Sequence, residues 1–325
     1  MSHAELTAIG PAETVVRCVE GPALAAPGAG ELVVRIEAAG INPADILMIE
    51  GNYAVVPQTP CRLGIEGAGT VKAVGAGVEG LSPGDRVLSL ARNNWCTEQL
   101  LKPQEVVKLP AGIDPLQAGM LKANPASALL MLTEYVTLQP GDWVLQDAAN
   151  SAVGLNLVSI ARARGLKTVN IVRRDSAVEV VKAAGGDVVL VEGPDLPGRI
   201  REATGGAAIK LAIDAVAGPI VETLGDALAE GGTIVNYGLL SGKPCQLRAD
   251  QVVFKDIRLV GFWLAKVMPA LGYERIAAMY RELAGYVIDG VIDIPVEATY
   301  PLTEIGQALA HAKREARGGK VVLTP

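Results

Sequence analysis

The chain has 325 residues, 50% of them hydrophobic and 20% charged, which excludes disorder and fibrous repeats and leaves room for two domains. Its net charge of −6, with Lys and Arg scattered rather than striped, excludes the electrostatic footprint of a nucleic-acid or anionic-membrane binder. Four distant cysteines and two histidines exclude a disulfide framework and a thiolate metal cluster.

Aromatic residues make up only 4% of the chain, so Ala, Val, Leu and Ile have to build the core, the mixture that fills parallel sheets covered by helices. The N-terminus, MSHAELTAIG, shows neither an Arg-rich transit pattern nor a basic segment leading into an apolar run. No stretch of about 18 uncharged apolar residues occurs. A soluble, cytoplasmic protein in a reducing compartment is the expectation, with His3 in a mobile terminus.

In chain order, the Pro- and Gly-rich segment Gly21–Gly30 reads as a surface loop. From Glu31 to Lys108, short apolar runs punctuated by Gly and Pro (LVVRIEAAG, GAGTVKAVGAG, GDRVLSL, EVVKLP) predict antiparallel strands with tight turns. Asp45 and Glu66 read as structural carboxylates there, and SPGDRV as a turn in which Asp85 bonds its own backbone.

After Ile113 the texture changes. DPLQAGMLKANPASALLMLTEYV predicts a helix, followed by strand and helix patterns in alternation: DWVLQDA, KTVNIVRR, DVVLV, KLAIDAVAG, TIVNYG and DIRLVGFWL are the six strands. Repeated βα units of this kind predict a doubly wound parallel six-stranded Rossmann sheet. Beyond Trp263 follow one long amphipathic helix (ERIAAMYRELAGYVIDG), the strand-like IPVEATYP, a short helix (LTEIGQALAHAKR) containing His311, and GKVVLTP. The expected fold is therefore α/β: a β-rich domain, residues 1–118 and 264–325, split by an inserted nucleotide domain, residues 119–263.

Trp143–Gly154 is a strand followed at once by AANSAVG and a helix, where a dinucleotide fold needs a tight turn that lets backbone amides approach a pyrophosphate. The usual GxGxxG is reduced to Ala149, Ser151 and Gly154, so placement in a βαβ unit carries the assignment. At the end of the second strand an NAD site places a carboxylate on the ribose hydroxyls; this chain has Val172, Arg173 and Arg174. Guanidinium forks suit a 2′-phosphate, which predicts NADPH as the cofactor. The alternative is a solvated strand terminus partly neutralised by Asp175. Gly238 and the end of LVGFWL reach the same carboxyl edge and are expected to flank the nicotinamide.

These segments, together with GNYAVVPQTPCRLGIEGAG, ANPASALLML, LQPGDWVLQDAANSAVG, FKDIRLVGFWLAK and the terminal GGKVVL, resemble the medium-chain dehydrogenase/reductase superfamily over essentially the whole chain. The resemblance implies a GroES-like β domain around the Rossmann domain. Zinc members of that superfamily carry a GHE motif and an upstream Cys as ligands. Here the matching stretches read GIEG and GINPAD, and neither Ile65 nor Asn42 can ligate zinc as imidazole and thiolate do, so no metal is expected.

Within the zinc-free branch the chain is most similar to the trans-2-enoyl-thioester reductases of the mitochondrial type and their bacterial relatives. That resemblance implies Tyr53 as the catalytic residue and Asn124 in contact with cofactor or substrate. It places Asn150, Ser151, Ala152 and Val153 at the pyrophosphate, and Arg173 and Arg174, with Asp175 beside them, at the 2′-phosphate. Tyr237, Gly238, Leu239 and Leu240, and Phe262, Trp263 and Leu264, are implied to line the nicotinamide pocket, with Lys320 near the cofactor. The family often has Arg-Asp-Arg where this chain has Arg173-Arg174-Asp175; Arg173 fits either order.

Reducing an α,β-unsaturated thioester moves hydride to the β-carbon and negative charge to the thioester oxygen, then protonates the α-carbon. A phenol, protonated at pH 7, can serve as hydrogen-bond donor and acid without a metal, the role expected of Tyr53. The other readings are a quinone or activated-alkene reductase using the same hydride chemistry, and a nucleotide-sensing protein without turnover. The expected partners are an acyl thioester on CoA or acyl carrier protein and a second copy of the chain, paired through edge strands at TIVNYG or LVGFWL. Tyr53, Tyr237, Phe262 and Trp263, four of 12 aromatics, are expected to converge on one pocket.

Overall fold

The computed structural model describes residues 1–314 and 317–325, which form two compact units. The first is Met1–Asn124 with Gly272–Pro325, the second Pro125–Leu271.

The first unit is built on the strand Leu32–Gly40, nearly every residue of which is buried. Ala68–Val74 and Glu98–Leu101 pair with it antiparallel, and Arg86–Ser89 and Val106–Lys108 extend the sheet. Lys320–Leu323 also runs antiparallel to it, Val322 opposite Gly40 and Leu323 opposite Ala39, so the end of the chain completes a sheet begun near its start. A separate sheet joins Val16–Glu20, Ser2–Leu6 and Cys61–Arg62. Trp95 is fully buried in this unit, its indole N–H donating to the Gly40 carbonyl at 3.4 Å.

His3 is not in a mobile terminus. It lies buried in the strand Ser2–Leu6, because Ala4 and Leu6 enter the core and the Ala4 N–H donates to the Trp95 carbonyl at 2.8 Å.

The second unit is a six-stranded parallel sheet ordered Val188–Val191, Lys167–Val172, Trp143–Gln146, Leu211–Asp214, Thr233–Asn236, Arg258–Gly261. Each strand falls within one of the six segments predicted. The chain winds outward from the middle first one way and then the other, so the strand order switches between Trp143–Gln146 and Leu211–Asp214, at whose carboxyl ends open α/β sheets of this kind bind ligands. The central strands are buried on both faces and so read as continuous apolar runs. Trp143 is half-buried, with the Lys167 ammonium 5.4 Å from the ring centroid.

The single helix expected after Ile113 is two, Pro115–Gly119 and Asn124–Thr133, separated by a turn at Met120–Ala123. The break follows from a close approach: a β-carbon on Gly119 would lie 2.7 Å from the Ala38 carbonyl carbon, so only glycine lets the helix end against the strand. Residues 119–124 consequently go with the first unit, whereas the sequence pattern places a boundary at 118/119. At the other junction an unforeseen helix, Leu264–Leu271, follows the last parallel strand and carries residues 264–271 into the second unit. The long amphipathic helix is Tyr273–Ile288. Among the described residues no helix is long and apolar enough to cross a membrane.

Candidate active site

At the carboxyl edge of the parallel sheet, Ser151 caps the helix Ala152–Ala163, its hydroxyl accepting the Gly154 N–H at 3.1 Å. Gly154 packs where a β-carbon would lie 2.5 Å from the Ala149 carbonyl oxygen, which is the role of the last glycine of the dinucleotide fingerprint. Beneath it, the buried Gln146 amide donates to the Gly154 carbonyl at 3.1 Å and to Asn170 Oδ1 at 2.7 Å, tying the first helical turn to two strands. Ala148 holds φ at +44°, a strained conformation for a residue with a β-carbon, at the turn between strand and helix. Asn150, Ser151, Ala152 and Val153 thus stand at the turn and first residues of that helix.

Arg173, Arg174 and Asp175 follow the buried end of Lys167–Val172 and are exposed. Leu239 and Leu240, after the strand Thr233–Asn236, are exposed as well, and Trp263 is 37% exposed. Phe262 is buried, edge-on to Tyr135 with ring centroids 6.4 Å apart.

A carboxyl pair that the sequence pattern did not single out lies at the same edge. Asp147 and Asp214 end adjacent parallel strands and face one another, with Asp147 Oδ1 accepting the Ala215 N–H at 2.8 Å. Asp214 accepts the N–H groups of Val216 and Ala217, each at 2.9 Å, and the Asn236 amide at 2.6 Å. Burial, followed by the hydrogen bond and charge of Asp214, holds the Asp147 carboxyl well above its ordinary range. Burial likewise raises the Tyr237 phenol, against the opposing effect of its hydrogen bond with Ser151.

The first unit contributes a buried polar network. Asn42 caps the helix Pro43–Ile49, with its N–H donating to Asp45 Oδ2 at 2.9 Å. Asn42 Nδ2 donates to Glu66 Oε1 at 2.6 Å, and the Ala123 N–H donates to Glu66 Oε2 at 2.9 Å. Asn42 Oδ1 accepts from Lys320 Nζ at 2.6 Å and from Asn124 Nδ2 at 3.1 Å. Lys320 also donates to the Ile41 carbonyl at 2.7 Å, and Lys122 to the carbonyls of Ile65 and Ala91 at 2.7 and 2.6 Å. Asn42, Asp45, Glu66, Lys122, Asn124 and Lys320 are all buried. Burial pushes the Asp45 carboxyl up to about 7 and the Lys122 ammonium down to about 8, and it lowers Lys320. The helix capped by Asn42 leads into the loop that carries Tyr53, half-buried against the core of this unit.

Two of the expected site residues, Asn124 and Lys320, thus meet on one side chain, that of Asn42. Asn42 and Lys122 were not anticipated as site residues. Their signal is their place in words that were quoted for other reasons, GINPAD and the lysine immediately before ANP.

Two family models match the chain: an alcohol dehydrogenase GroES-like domain over residues 28–149 and a zinc-binding dehydrogenase over residues 152–293. The chain is 33% identical over 311 residues to the mitochondrial enoyl-acyl-carrier-protein reductase of Bos taurus, covering 93% of this chain and 83% of that one. It belongs to the medium-chain dehydrogenase/reductase superfamily. Like other members of that superfamily, it is an oxidoreductase. The crystal structure of Escherichia coli quinone oxidoreductase complexed with NADPH superposes with a TM-score of 0.88 at 27% identity, covering 100% of both chains. The complex of Etr1p with NADP and crotonyl-CoA shares the fold, with a TM-score of 0.88 at 24% identity, over 100% of this chain and 99% of that one.

Where the resemblance aligns this chain with the zinc ligands of other members it carries Asn42 and Ile65, and both oxygens of Glu66 accept hydrogen bonds, from Asn42 and Ala123. Among the described residues no group of three or more His, Cys, Asp or Glu could hold a metal ion.

Proposed function

We propose that the protein reduces the C2–C3 double bond of trans-2-enoyl thioesters, carried on CoA or acyl carrier protein, with NADPH as electron donor. One observation carries this reading: the two positions that the resemblance aligns with metal ligands of zinc members are Asn42 and Ile65, an amide and an alkyl side chain, and the helix capped at Asn42 leads into the loop that carries Tyr53, a phenol able to act as the acid without a metal. The name of the Bos taurus relative supports the thioester substrate.

Bound NADPH supplies hydride from C4 of the nicotinamide. The hydride adds to the β-carbon, the double-bond electrons move toward the α-carbon and thioester oxygen, and the Tyr53 hydroxyl stabilises the resulting enolate. A proton from Tyr53, directly or through water, then reaches the α-carbon and gives the saturated thioester. Asn150, Ser151, Ala152 and Val153 would hold the pyrophosphate and Arg173 and Arg174 the 2′-phosphate. Tyr237, Gly238, Leu239, Leu240, Phe262, Trp263 and Leu264 would line the nicotinamide pocket.

The protein acts as a homodimer in this reading. Arg258–Gly261 is an edge strand whose outer backbone groups need a partner; Leu259 within it is exposed, as are Val253 and Phe254 shortly before it in the chain, Phe254 at 82%. A second copy offers the same edge related by two-fold symmetry. Its compartment is a reducing one, consistent with cysteines that are all free thiols, while the relative's name assigns that protein to mitochondria.

The test is NADPH absorbance during turnover of crotonyl-CoA and longer enoyl-CoA substrates, set against quinones. NADPH oxidation with enoyl thioesters is the expected result. Oxidation with quinones alone would overturn the reading in favour of the second one, to which the likeness to the Escherichia coli quinone oxidoreductase lends support.

A further inference from the structure

Asp147 follows the strand Trp143–Gln146 and Asp214 closes Leu211–Asp214, the two strands of the second unit between which the strand order switches. That is the point at which an open α/β sheet takes its ligand. Both carboxyls are buried, and their hydrogen bonds can be counted oxygen by oxygen. Asp214 Oδ1 accepts the N–H groups of Val216 and Ala217, which uses both of its lone pairs. Asp214 Oδ2 accepts the Asn236 amide and has one lone pair left. The Asn236 amide has one orientation only, because its NH2 also faces the carbonyls of Asp214 and Gly238. Asp147 Oδ1 accepts the Ala215 N–H, and Asp147 Oδ2 is buried with no hydrogen-bond partner among the described residues. An ionised oxygen buried in that way is costly, whereas a protonated Oδ2 is a donor, and Asp214, the carboxylate facing it, has an acceptor site free.

The same two side chains hold the backbone beyond the strands. Ala148, next to Asp147, has φ at +44°, and Ala217, whose N–H is held by Asp214, has φ at +60°. Neither is glycine, so each conformation persists only because its surroundings over-determine it. Asn236 carries the chain of bonds on to the Gly238 carbonyl at 3.0 Å. The turns after three neighbouring strands are thus tied to one pair of carboxyls.

We propose that a proton held between Asp147 and Asp214 fixes these turns, so that the nicotinamide nucleotide binds the protonated pair in preference to the ionised one. Loss of the proton sets two adjacent carboxylates against each other and adds negative charge beneath an anionic ligand, and both effects oppose binding. By linkage, the nucleotide strengthens the hold on the proton as much as the proton strengthens the hold on the nucleotide. Asp147 and Asp214 are positioning residues in this scheme, and neither has to touch the ligand. Around the pair, Glu192 beyond Val188–Val191 adds negative charge, and burial raises Tyr237 and Cys245. Arg173, after Lys167–Val172, is exposed, and the first two turns of Ala152–Ala163 carry no titratable group. The inference rests on the proposed nucleotide binding and is independent of which alkene is reduced.

The test measures the Kd for NADPH by nucleotide fluorescence in the full-length enzyme between about pH 7 and pH 9, above the second pKa of about 6 of a phosphate monoester. The wild-type Kd is expected to rise about tenfold across that range, an ordinary coupling between two sites. Asp147→Asn keeps Oδ1 toward Ala215 and gives Asp214 a permanent N–H donor, so its Kd should stay constant within about twofold. A merely structural Asp147 would change affinity by one factor at every pH, and parallel profiles would overturn the proposal. Tight binding by the wild type that ignores pH would overturn it as well. Failure to bind NADPH at any pH would instead overturn the proposed function on which it rests.

Should Asp147→Asn fail to fold, the wild type still decides. Calorimetry of NADPH binding in two buffers of different ionisation enthalpy counts the protons exchanged. Net uptake, up to about one proton per nucleotide, is expected within the same pH range, and no uptake would overturn the proposal.

Discussion

Asp147 and Asp214 stand side chain to side chain at the ends of adjacent parallel strands, and the Ala215 N–H between them is held by Asp147 at 2.8 Å. Burial, with Asp214 beside it, raises the Asp147 carboxyl well above its ordinary range, while Asp214 accepts hydrogen bonds from Val216, Ala217 and Asn236. The folded chain therefore holds a proton that the unfolded chain releases near pH 4. Stability should fall as the pH rises above that value, by up to about 1.4 kcal/mol per pH unit for one proton. Asp45, pushed up to about 7 by burial, adds a slope of the same sign that ends near pH 7. Asp147→Asn keeps a permanent donor toward Asp214, so it should match the wild type near pH 4 and be the more stable protein at pH 8. Tm measured across that range checks this, and parallel profiles would count against a shared proton.

Removing the Tyr53 hydroxyl should affect the chemical step rather than the nucleotide. Tyr53→Phe is expected to lower kcat roughly 100-fold or more, the usual contribution of a positioned acid, while the Kd for NADPH stays within about twofold. Near-normal turnover would remove Tyr53 from the mechanism.

Arg173 and Arg174 should govern the choice between NADPH and NADH. Arg173→Ala is expected to raise KM for NADPH roughly 10-fold to 100-fold, the value of a charge-assisted hydrogen bond, and to leave KM for NADH nearly unchanged. Arg174→Ala should show the smaller effect of the two. Equal losses with both nucleotides would indicate a general electrostatic role.

Gly154 should tolerate no side chain. Its added β-carbon would meet the Ala149 backbone at 2.5 Å, with the Ala149 Cα and carbonyl carbon at 2.8 Å, and backbone cannot yield as a flexible side chain can. Gly154→Ala is expected to cost about 1–3 kcal/mol by overpacking and to weaken NADPH binding, because the helix N-terminus must shift away from the strand. Thermal unfolding with and without nucleotide measures both effects.

Phe254 should report on self-association. Phe254→Asp places a charge on the exposed apolar surface beside the edge strand, and light scattering after gel filtration is expected to show a monomer where the wild type is a dimer. A wild type that elutes as a monomer would discard the edge-strand dimer.

The parallel sheet was legible because its strands are buried on both faces and read as apolar runs at regular intervals, and the phosphate turn was legible from its place after the first of them. Other features depend on information that a linear pattern does not carry. Lys320 reaches Asn42 only because the last strand pairs with Val322 opposite Gly40, a register that nothing local dictates. Phe262 and Trp263 are neighbours in an apolar word, yet one is buried against Tyr135 and the other is exposed, since successive residues of extended chain point to opposite sides. His3 sits in a segment too short to show alternation, and its burial is imposed by the Trp95 segment beside it. The Asp147 and Asp214 pair needs the two strands to be neighbours before either residue is remarkable chemically, which only the strand order supplies.

The three tryptophans give the two units separate optical signatures. Trp95, sealed in the first unit, should emit at short wavelength until that unit unfolds. Trp143, beneath the Lys167 ammonium, and Trp263, partly exposed, belong to the second unit and should respond to different quenchers. Acrylamide or iodide should reach Trp263 first, so a protein retaining only that tryptophan would signal events at the sheet edge, and one retaining only Trp95 would follow the melting of the other unit.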